Sequence, residues 1–315
     1  MGLLIDGQWH DQWYDTSKDG QFKRETSKFR NEINKDSLQF KPEPHRYHLY
    51  VSLACPWAHR TLIFRKLKQL ESIVSISVVN PYMGEDGWTF KEAPDVIPDQ
   101  ENNAEYLYQI YQTADPLYTG HVTVPILWDR ANNTIVNNES SEIIRIFNTA
   151  FDELTGNSLN FYPQKLQQKI DELNTFIYDK VNNGVYKAGF ATTQQSYEEA
   201  VIELFQALDQ LEIILMHHRY LVGENITEAD WRLFTTLIRF DVVYVGHFKT
   251  NLKCLREYPH LWNYTKELYQ IFGISDTVNF DHIKQHYYKS HKTINPTGIV
   301  PEGPYLNFTE PHNRK

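Results

Sequence analysis

Between residues 46 and 79 the hydrophobic period changes twice. Arg46-Tyr47-His48-Leu49-Tyr50-Val51-Ser52 has the aromatic and β-branched content of a strand. From Trp57 to Leu70, residues Leu62, Ile63, Leu67 and Leu70 recur at helical spacing. Ile73-Val74-Ser75-Ile76-Ser77-Val78-Val79 is β-branched and alternating, a second strand. Strand, long helical connection, strand implies a right-handed βαβ unit with a parallel pair. The turn into the helix reads Leu53-Ala54-Cys55-Pro56. It places a thiol at the helix start, where unpaired N–H groups and the positive end of the helix dipole favour a thiolate, the reactive form. Proline just inside a helix start forfeits no hydrogen bond. Ala58 stands where a Cys-x-x-Cys motif would have its second sulfur. Cys55, if reactive, therefore works alone and is reset by a thiol from solution. A lone cysteine is often a small buried apolar side chain. The strand–Cys–Pro–helix setting favours the reactive reading here, and Cys254, without such a setting, reads as structural.

Residues 1 to about 45 are polar and irregular, punctuated by Asp19-Gly20 and Pro42-Glu43-Pro44, and predict an extension laid over a folded body. Asn80 to about Asn103 is a long polar loop carrying Gly87-Trp88-Thr89-Phe90. Its tryptophan is a packing plug or the aromatic anchor of a binding site. Ala104 to Ala114 has a helical pattern. Val122 to Trp128 reads as a strand with Pro125 inside it, which requires an edge, a bulge or a special geometry such as a cis bond. Thr134-Ile135-Val136 is its partner across a turn at Asn132-Asn133. Glu139-Ser140-Ser141-Glu142 opens a helix over Ile143 to Phe151 with a serine cap and makes a ready anion site.

After Gly156 the pattern is helical, with segments 166–182, 197–217, 231–245 and 254–272. Thr227-Glu228-Ala229-Asp230 is an N-terminal capping box preceded by Ile226 as a staple. His282 and His286, four apart and with no third ligand in view, read as a solvated helix face. The end, from His291 to Lys315, is rich in proline and glycine and is expected to wrap the surface.

At 315 residues, 41% of them hydrophobic, the chain can fill two domain cores. A net charge of −9 without a Lys/Arg stripe argues against nucleic acid and anionic membranes as partners. Arg60, Arg65, Lys66 and Lys68 on one helix read as a solvated face. No secretory leader, myristoylation motif or apolar run of membrane-spanning length stands out. Two cysteines make no disulfide framework, so a reducing, cytoplasmic location is expected.

Together these stretches resemble the glutathione transferase superfamily and, within it, the glutathionyl-hydroquinone reductases, the xi class. The resemblance is carried by Tyr50 to Arg60 with Cys-Pro-Trp-Ala, by Val122 to Asp129, by Asn138 to Arg145, and by Val185-Tyr186-Lys187-Ala188-Gly189-Phe190-Ala191. It continues through His286-Tyr287-Tyr288 and Ile294 to Pro301, and the extension adds Gly20-Gln21-Phe22-Lys23-Arg24 with Phe29-Arg30. It implies an α/β thioredoxin-like N-terminal domain over 46–155 that binds glutathione, and an all-α C-terminal domain over 160–285. An extension over 1–45 and a tail over 286–315 would pack on the body.

The resemblance makes Cys55 the nucleophile and gives Val124, before a cis Pro125, the backbone bonds to the glutathione cysteinyl unit. Glu139 would take the γ-glutamyl ammonium, Ser140 and the helix start its carboxylate, and Trp88 would cover the tripeptide. Tyr186 and Tyr287 would face the quinol ring as catalytic hydroxyls, with Tyr288 and His291 near enough to contribute. One position departs: the residue before Val122, commonly Arg in the family, is His121, so a contact to a glutathione carboxylate is expected to be weaker or pH-dependent. Glutathione is the implied co-substrate, with no metal, and the family forms homodimers.

The reaction so implied is attack of Cys55 on an S-glutathionyl-hydroquinone, then release of oxidised glutathione from the mixed disulfide by a second glutathione. The competing readings are an omega-like thiol transferase or dehydroascorbate reductase, which would not need the tyrosines, and a non-catalytic binding module on the same fold.

Overall fold

A computed structural model describes residues 2–12, 20–21 and 26–314. Asp19 and the Phe22-Lys23-Arg24 part of the extension motif lie outside them. By its contacts the chain divides into two compact units. The first is Met1–Tyr14, Arg24–Leu159 and Thr277–His286. The second is Asp15–Lys23, Asn160–Asp276 and Tyr287–Lys315.

The first unit is built on the sheet that the βαβ pattern demands. Strand β3 (Tyr47–Val51) is buried along its whole length. It pairs in parallel with β4 (Val74–Val78) and antiparallel with β6 (Ile126–Asp129), which pairs in turn with β7 (Thr134–Asn137). The order is β4-β3-β6-β7. Helix α1 (Pro56–Leu67) connects β3 to β4, as parallel pairing requires, and packs beside α3 (Ser140–Thr149). Helix α2 (Leu107–Ala114) packs against β7, and the short α4 (Asp152–Thr155) follows α3.

Strand β6 is shorter than its sequence suggests. The Val124–Pro125 bond is cis, and the ladder begins only after it, because proline has no N–H to give. The long loop is ordered by Asp99, whose carboxylate accepts the backbone N–H groups of Glu101 (3.0 Å) and Ala104 (3.0 Å) and the Tyr50 hydroxyl (2.9 Å).

The expectation that residues 1 to 45 are irregular fails at their start. Strands β1 (Leu3–Ile5) and β2 (Gln8–His10) form a hairpin, and β1 also pairs with β5 (Gly120–His121). Three-residue strands are too short to show a period. The signal was the turn: Asp6-Gly7 takes positive φ at both positions (48° and 75°), as a two-residue hairpin turn needs. Further on, residues 29–31 run along β7, with Asn31 N–H bonded to Val136 O (3.0 Å) and Asn138 N–H to Phe29 O (3.1 Å). The sheet's edge is thereby covered.

The basic cluster on α1 is not a solvated face. Arg60 and Lys68 are each 1% exposed. Lys68 donates to Asn157 O (2.9 Å) and pairs with Asp152 (2.8 Å), and Arg65 donates to Val74 O (2.7 Å). Long basic side chains here close off backbone carbonyls that the sheet and helix ends leave over.

The second unit is helical: α5 (Gln167–Ile177), α6 (Gly184–Gly189), α7 (Gln194–His217), α8 (Glu228–Arg239), α9 (Val245–His247), α10 (Pro259–Gln270) and the last turn of α11 (Phe280–Ser290). Every residue of α8 is buried. Its start is the expected capping box, with Thr227 N–H 2.7 Å from the Asp230 carboxylate. Two predicted helices are interrupted by π turns, Tyr178–Asn182 after α5 and Phe240–Tyr244 after α8. The wider turn shifts the phase of every side chain beyond it. The segment predicted as one helix from Cys254 breaks at Pro259, which opens α10 after a single turn over Leu255–Glu257. No described helix is long and apolar enough to cross a membrane.

The tail lies along α10. Phe308 is 4% exposed, its ring 5.0 Å from that of Trp262. Gln270 donates to the carbonyls of Phe308 and Glu310 (both 2.7 Å), and Glu267 takes Arg314 (2.6 Å), Arg219 (2.6 Å) and the Tyr220 hydroxyl (2.8 Å). Burial alone would raise the Glu267 pKa, but these donors outweigh it and the net shift is downward. A depressed carboxylate contributes stability that is present above its unfolded pKa, about 4.3, and lost as pH falls through the lower folded value. Amide protection at residues 308–314 should hold from neutrality to about pH 5 and fall below about pH 4. Protection unchanged down to about pH 3 would show that Glu267 does not hold the tail.

Candidate functional site

Strand β3 ends at Val51, and the chain turns through Ser52, whose hydroxyl and carbonyl accept the N–H groups of Ala54 (3.2 Å) and Cys55 (3.2 Å). Cys55 is the N-cap of α1, extended at φ −75°, ψ 122°, with Pro56 as the first helical residue. Its carbonyl takes His59 N–H (2.9 Å). No acidic residue occupies the first turn to oppose a negative sulfur. Cys55 is a partly exposed residue, and its sulfur makes no cap bond to that turn. It sits instead 3.8 Å from the Val124 carbonyl, the acceptor before the cis proline. The pairing of Tyr50 with Ile126 between β3 and β6 brings the two together.

Helix α3 starts nearby in the same sheet order, and its cap is Glu139 rather than a serine. One Glu139 carboxylate oxygen accepts the Ser141 N–H (3.0 Å) and hydroxyl (2.9 Å), and the other accepts the Ser27 hydroxyl (3.2 Å). A carboxylate at a helix N-terminus is favoured by the dipole. Ser140 is buried and accepts a bond from the Arg60 guanidinium (3.3 Å), which lies 4.5 Å over the Trp57 ring. Arg60 thus ties the Cys55 helix to the start of α3.

Trp88 is 5% exposed and stacks on His286, ring centroids 4.7 Å apart. Far from being solvated, His282 and His286 are 1% and 7% exposed, bonded to Pro94 O (2.7 Å) and Pro81 O (3.0 Å). Their faces are buried because the long loop supplies carbonyls for both rings. His121 ends β5, opposite Leu3, and is partly exposed.

In the second unit, Tyr186 on α6 and Tyr287 on α11 meet hydroxyl to hydroxyl at 2.5 Å. Tyr287 is 1% exposed, and burial raises its pKa well above the usual tyrosine value; Tyr186 is partly exposed. A third hydroxyl, Tyr244, stands 3.1 Å from that of Tyr287. Sequence reasoning missed Tyr244, since Val242-Val243-Tyr244 has the look of helix core and nothing local marks the π turn. His291 bonds to His247 (3.1 Å) and packs on Phe190 and Phe248. Tyr288 is apart from the hydroxyl chain, its ring 4.8 Å from that of His247. At Gly189 a Cβ would fall 2.2 Å from the Phe248 ring, so glycine is what lets Phe248 close on α6.

A thiol at a strand-to-helix turn, opposite the carbonyl before a cis-proline, in an α/β unit followed by a helical one, is the plan of the glutathione S-transferases. The family models of their N-terminal and C-terminal domains match residues 54–150 and 194–267. The chain is 58% identical to the glutathionyl-hydroquinone reductase YqjG of Escherichia coli, over 100% of this chain and 98% of that protein. It is 54% identical to the glutathionyl-hydroquinone reductase PcpF of Sphingobium chlorophenolicum, over 96% of each. A glutathione-bound structure of the E. coli protein matches with a TM-score of 0.91 and 55% identity over 99% of each chain. A xi-class glutathione transferase from Natrialba magadii matches with a TM-score of 0.94 and 49% identity over 99% of this chain and 96% of that one. The chain belongs to the glutathionyl-hydroquinone reductases, the xi class of glutathione transferases.

Proposed function

We propose that the chain reduces S-glutathionyl-hydroquinones to hydroquinones, with glutathione as co-substrate and oxidised glutathione as product. The observation that carries this reading is the Cys55 sulfur 3.8 Å from the Val124 carbonyl at the start of α1. In the resting site that carbonyl is the acceptor for the thiol. When the cysteinyl N–H of bound glutathione also donates to it, the carbonyl holds the thiol proton less firmly, and the helix dipole favours the thiolate.

The Cys55 thiolate then attacks the glutathionyl sulfur. The new S–S bond forms as the sulfur–ring bond breaks, and the electron pair goes to the ring carbon, which takes a proton. A second glutathione thiolate attacks the mixed disulfide, releases oxidised glutathione and returns Cys55; its own proton balances the one gained by the ring. In this reading Tyr186 is the proton donor, because it keeps some exposure while Tyr287 is buried behind it. Glu139 receives the glutathione ammonium, Ser140 and the α3 start its carboxylate, and Trp88, His121, Tyr288 and His291 line the remainder.

The functional division is 46–155 for glutathione and 160–285 with the 286–315 tail for the ring, with 1–45 as an N-terminal extension. A homodimer and a cytoplasmic location complete the proposal, the latter suited to two cysteines without a disulfide. The test is turnover of glutathionyl-menadiol with glutathione, followed by mass spectrometry of the protein trapped with one glutathione on Cys55. No turnover, together with reduction of a disulfide substrate, would replace this reading with a thiol transferase; no adduct at all would leave a binding module.

A further inference from the structure

Arg60 lies on α1, the helix that Cys55 caps. One guanidinium N–H donates to the Ser140 hydroxyl oxygen (3.3 Å), and the group lies 4.5 Å over the Trp57 ring. Arg60 is 1% exposed and Ser140 is 4% exposed. A guanidinium has donors and no acceptor. The Ser140 oxygen therefore accepts, and the hydroxyl hydrogen must be given to another group. Among the described residues no acceptor takes that hydrogen, and none takes the Ser140 backbone N–H. The neighbouring donors at the start of α3 are in use. Ser141 gives its N–H (3.0 Å) and hydroxyl (2.9 Å) to the Glu139 carboxylate, and Glu142 gives its N–H to the Glu139 carbonyl (3.1 Å).

Ser140 is thus left with two donors, an O–H and an N–H, at the positive end of a helix dipole. That pair suits the two oxygens of a carboxylate. A buried hydroxyl whose hydrogen finds no acceptor costs free energy, and a ligand carboxylate removes that cost. A side chain with an acceptor of its own in the place of Arg60 would let the hydrogen turn inward. Arginine does not allow this, and its charge polarises the O–H it donates to.

We propose that Arg60 is a positioning residue for the γ-glutamyl carboxylate of glutathione: by occupying the Ser140 oxygen with a donor, it keeps the Ser140 hydrogen for that carboxylate. The proposal rests on the reductase reading, in which Ser140 receives the group. Because α1 carries both Arg60 and Cys55 and packs beside α3, one side chain also fixes the carboxylate anchor relative to the attacking sulfur. A ligand whose γ-glutamyl unit lacks the carboxylate gains nothing from this arrangement.

Wild-type turnover of glutathionyl-menadiol tests the reductase reading by itself; the proposal is tested by binding. Three ligands that form no disulfide are compared by isothermal titration calorimetry. They are S-methylglutathione, its 4-aminobutanoyl analogue, which lacks only the γ-glutamyl carboxylate, and its glutaryl analogue, which lacks only the ammonium. Wild type should prefer S-methylglutathione to the 4-aminobutanoyl analogue by about a hundredfold. Arg60→Gln gives Ser140 an acceptor as well as donors. It should weaken S-methylglutathione and the glutaryl analogue by about tenfold each and leave the 4-aminobutanoyl analogue within about twofold of wild type. Equal losses for all three ligands, or no loss for any, would overturn the proposal, since a mere strut between two helices does not distinguish a carboxylate. Because Arg60→Gln could disturb folding, Ser140→Ala, which leaves α1 untouched, gives a second measurement. It should reduce the preference for the carboxylate by about tenfold as well. A preference kept at the wild-type level would also overturn the proposal.

Discussion

Cys55→Ser loses turnover of glutathionyl-hydroquinones by on the order of 10³-fold or more and still binds glutathione. The two halves of this expectation have separate causes. Serine is slightly smaller than cysteine and meets no steric conflict at the Val124 carbonyl, which lies 3.8 Å from the thiol. The turn through Ser52 and the start of α1 therefore have no reason to move, nor do Glu139 and Ser140 at the start of α3. What is lost is the sulfur–sulfur bond: an alkoxide is far harder to form near neutral pH, and no mixed disulfide can follow. Quenching of tryptophan fluorescence by glutathione, with Trp88 as the nearest expected reporter, measures binding; product analysis measures turnover. Cys254→Ser is the companion. Burial raises the Cys254 thiol pKa, and its backbone N–H is capped by Glu257 (2.6 Å), so that variant should keep its activity. Turnover by Cys55→Ser above about a tenth of wild type would mean that glutathione attacks the substrate directly, without a covalent enzyme intermediate.

What could be read along the chain was what is decided locally. The strand–helix–strand period set the parallel pair, Pro125 announced an irregular bond, and Thr227 with Asp230 marked a helix start three residues ahead. Contacts made at a distance left no such trace. Cys55 and Val124 are 69 positions apart, and only the family resemblance joined them in advance. Arg60 and Lys68 carry charges that favour solvent in any one-dimensional reading. They are buried because Ser140 and the carbonyls of Asn157 and Leu159, far along the chain, receive their donors. His282 and His286 failed as a solvated face for the same reason. The hairpin at residues 3–10 was hidden by its brevity, though Asp6-Gly7 was in plain view. Tyr244 was hidden by phase: a π turn changes which face a residue occupies without changing the hydrophobic pattern that leads to it.

Asp230→Ala destabilises the helical unit by about 3–5 kcal/mol, a large share of the roughly 5–15 kcal/mol that holds a domain folded. One carboxylate oxygen accepts Leu221 N–H (3.0 Å) and the Tyr264 hydroxyl (2.7 Å); the other accepts Thr227 N–H (2.7 Å) and its hydroxyl (3.0 Å). Leu221, Thr227 and Tyr264 are themselves buried, so alanine strands donors that water cannot reach. Asp230→Asn separates the two contributions. Burial raises the Asp230 pKa against the pull of these bonds, so a neutral amide removes a desolvation cost while keeping one acceptor oxygen, and the loss should be about 1–2 kcal/mol. Urea unfolding followed by far-ultraviolet circular dichroism reads both. The effect also reaches the tyrosines: α8 begins at this cap and runs directly into the turn that ends at Tyr244. Asp230→Ala should therefore lose quinol turnover at a lower temperature than wild type, ahead of any loss of the α/β sheet. A midpoint shift worth less than about 1 kcal/mol would mean that α8 is held by its packing alone and that the cap is dispensable.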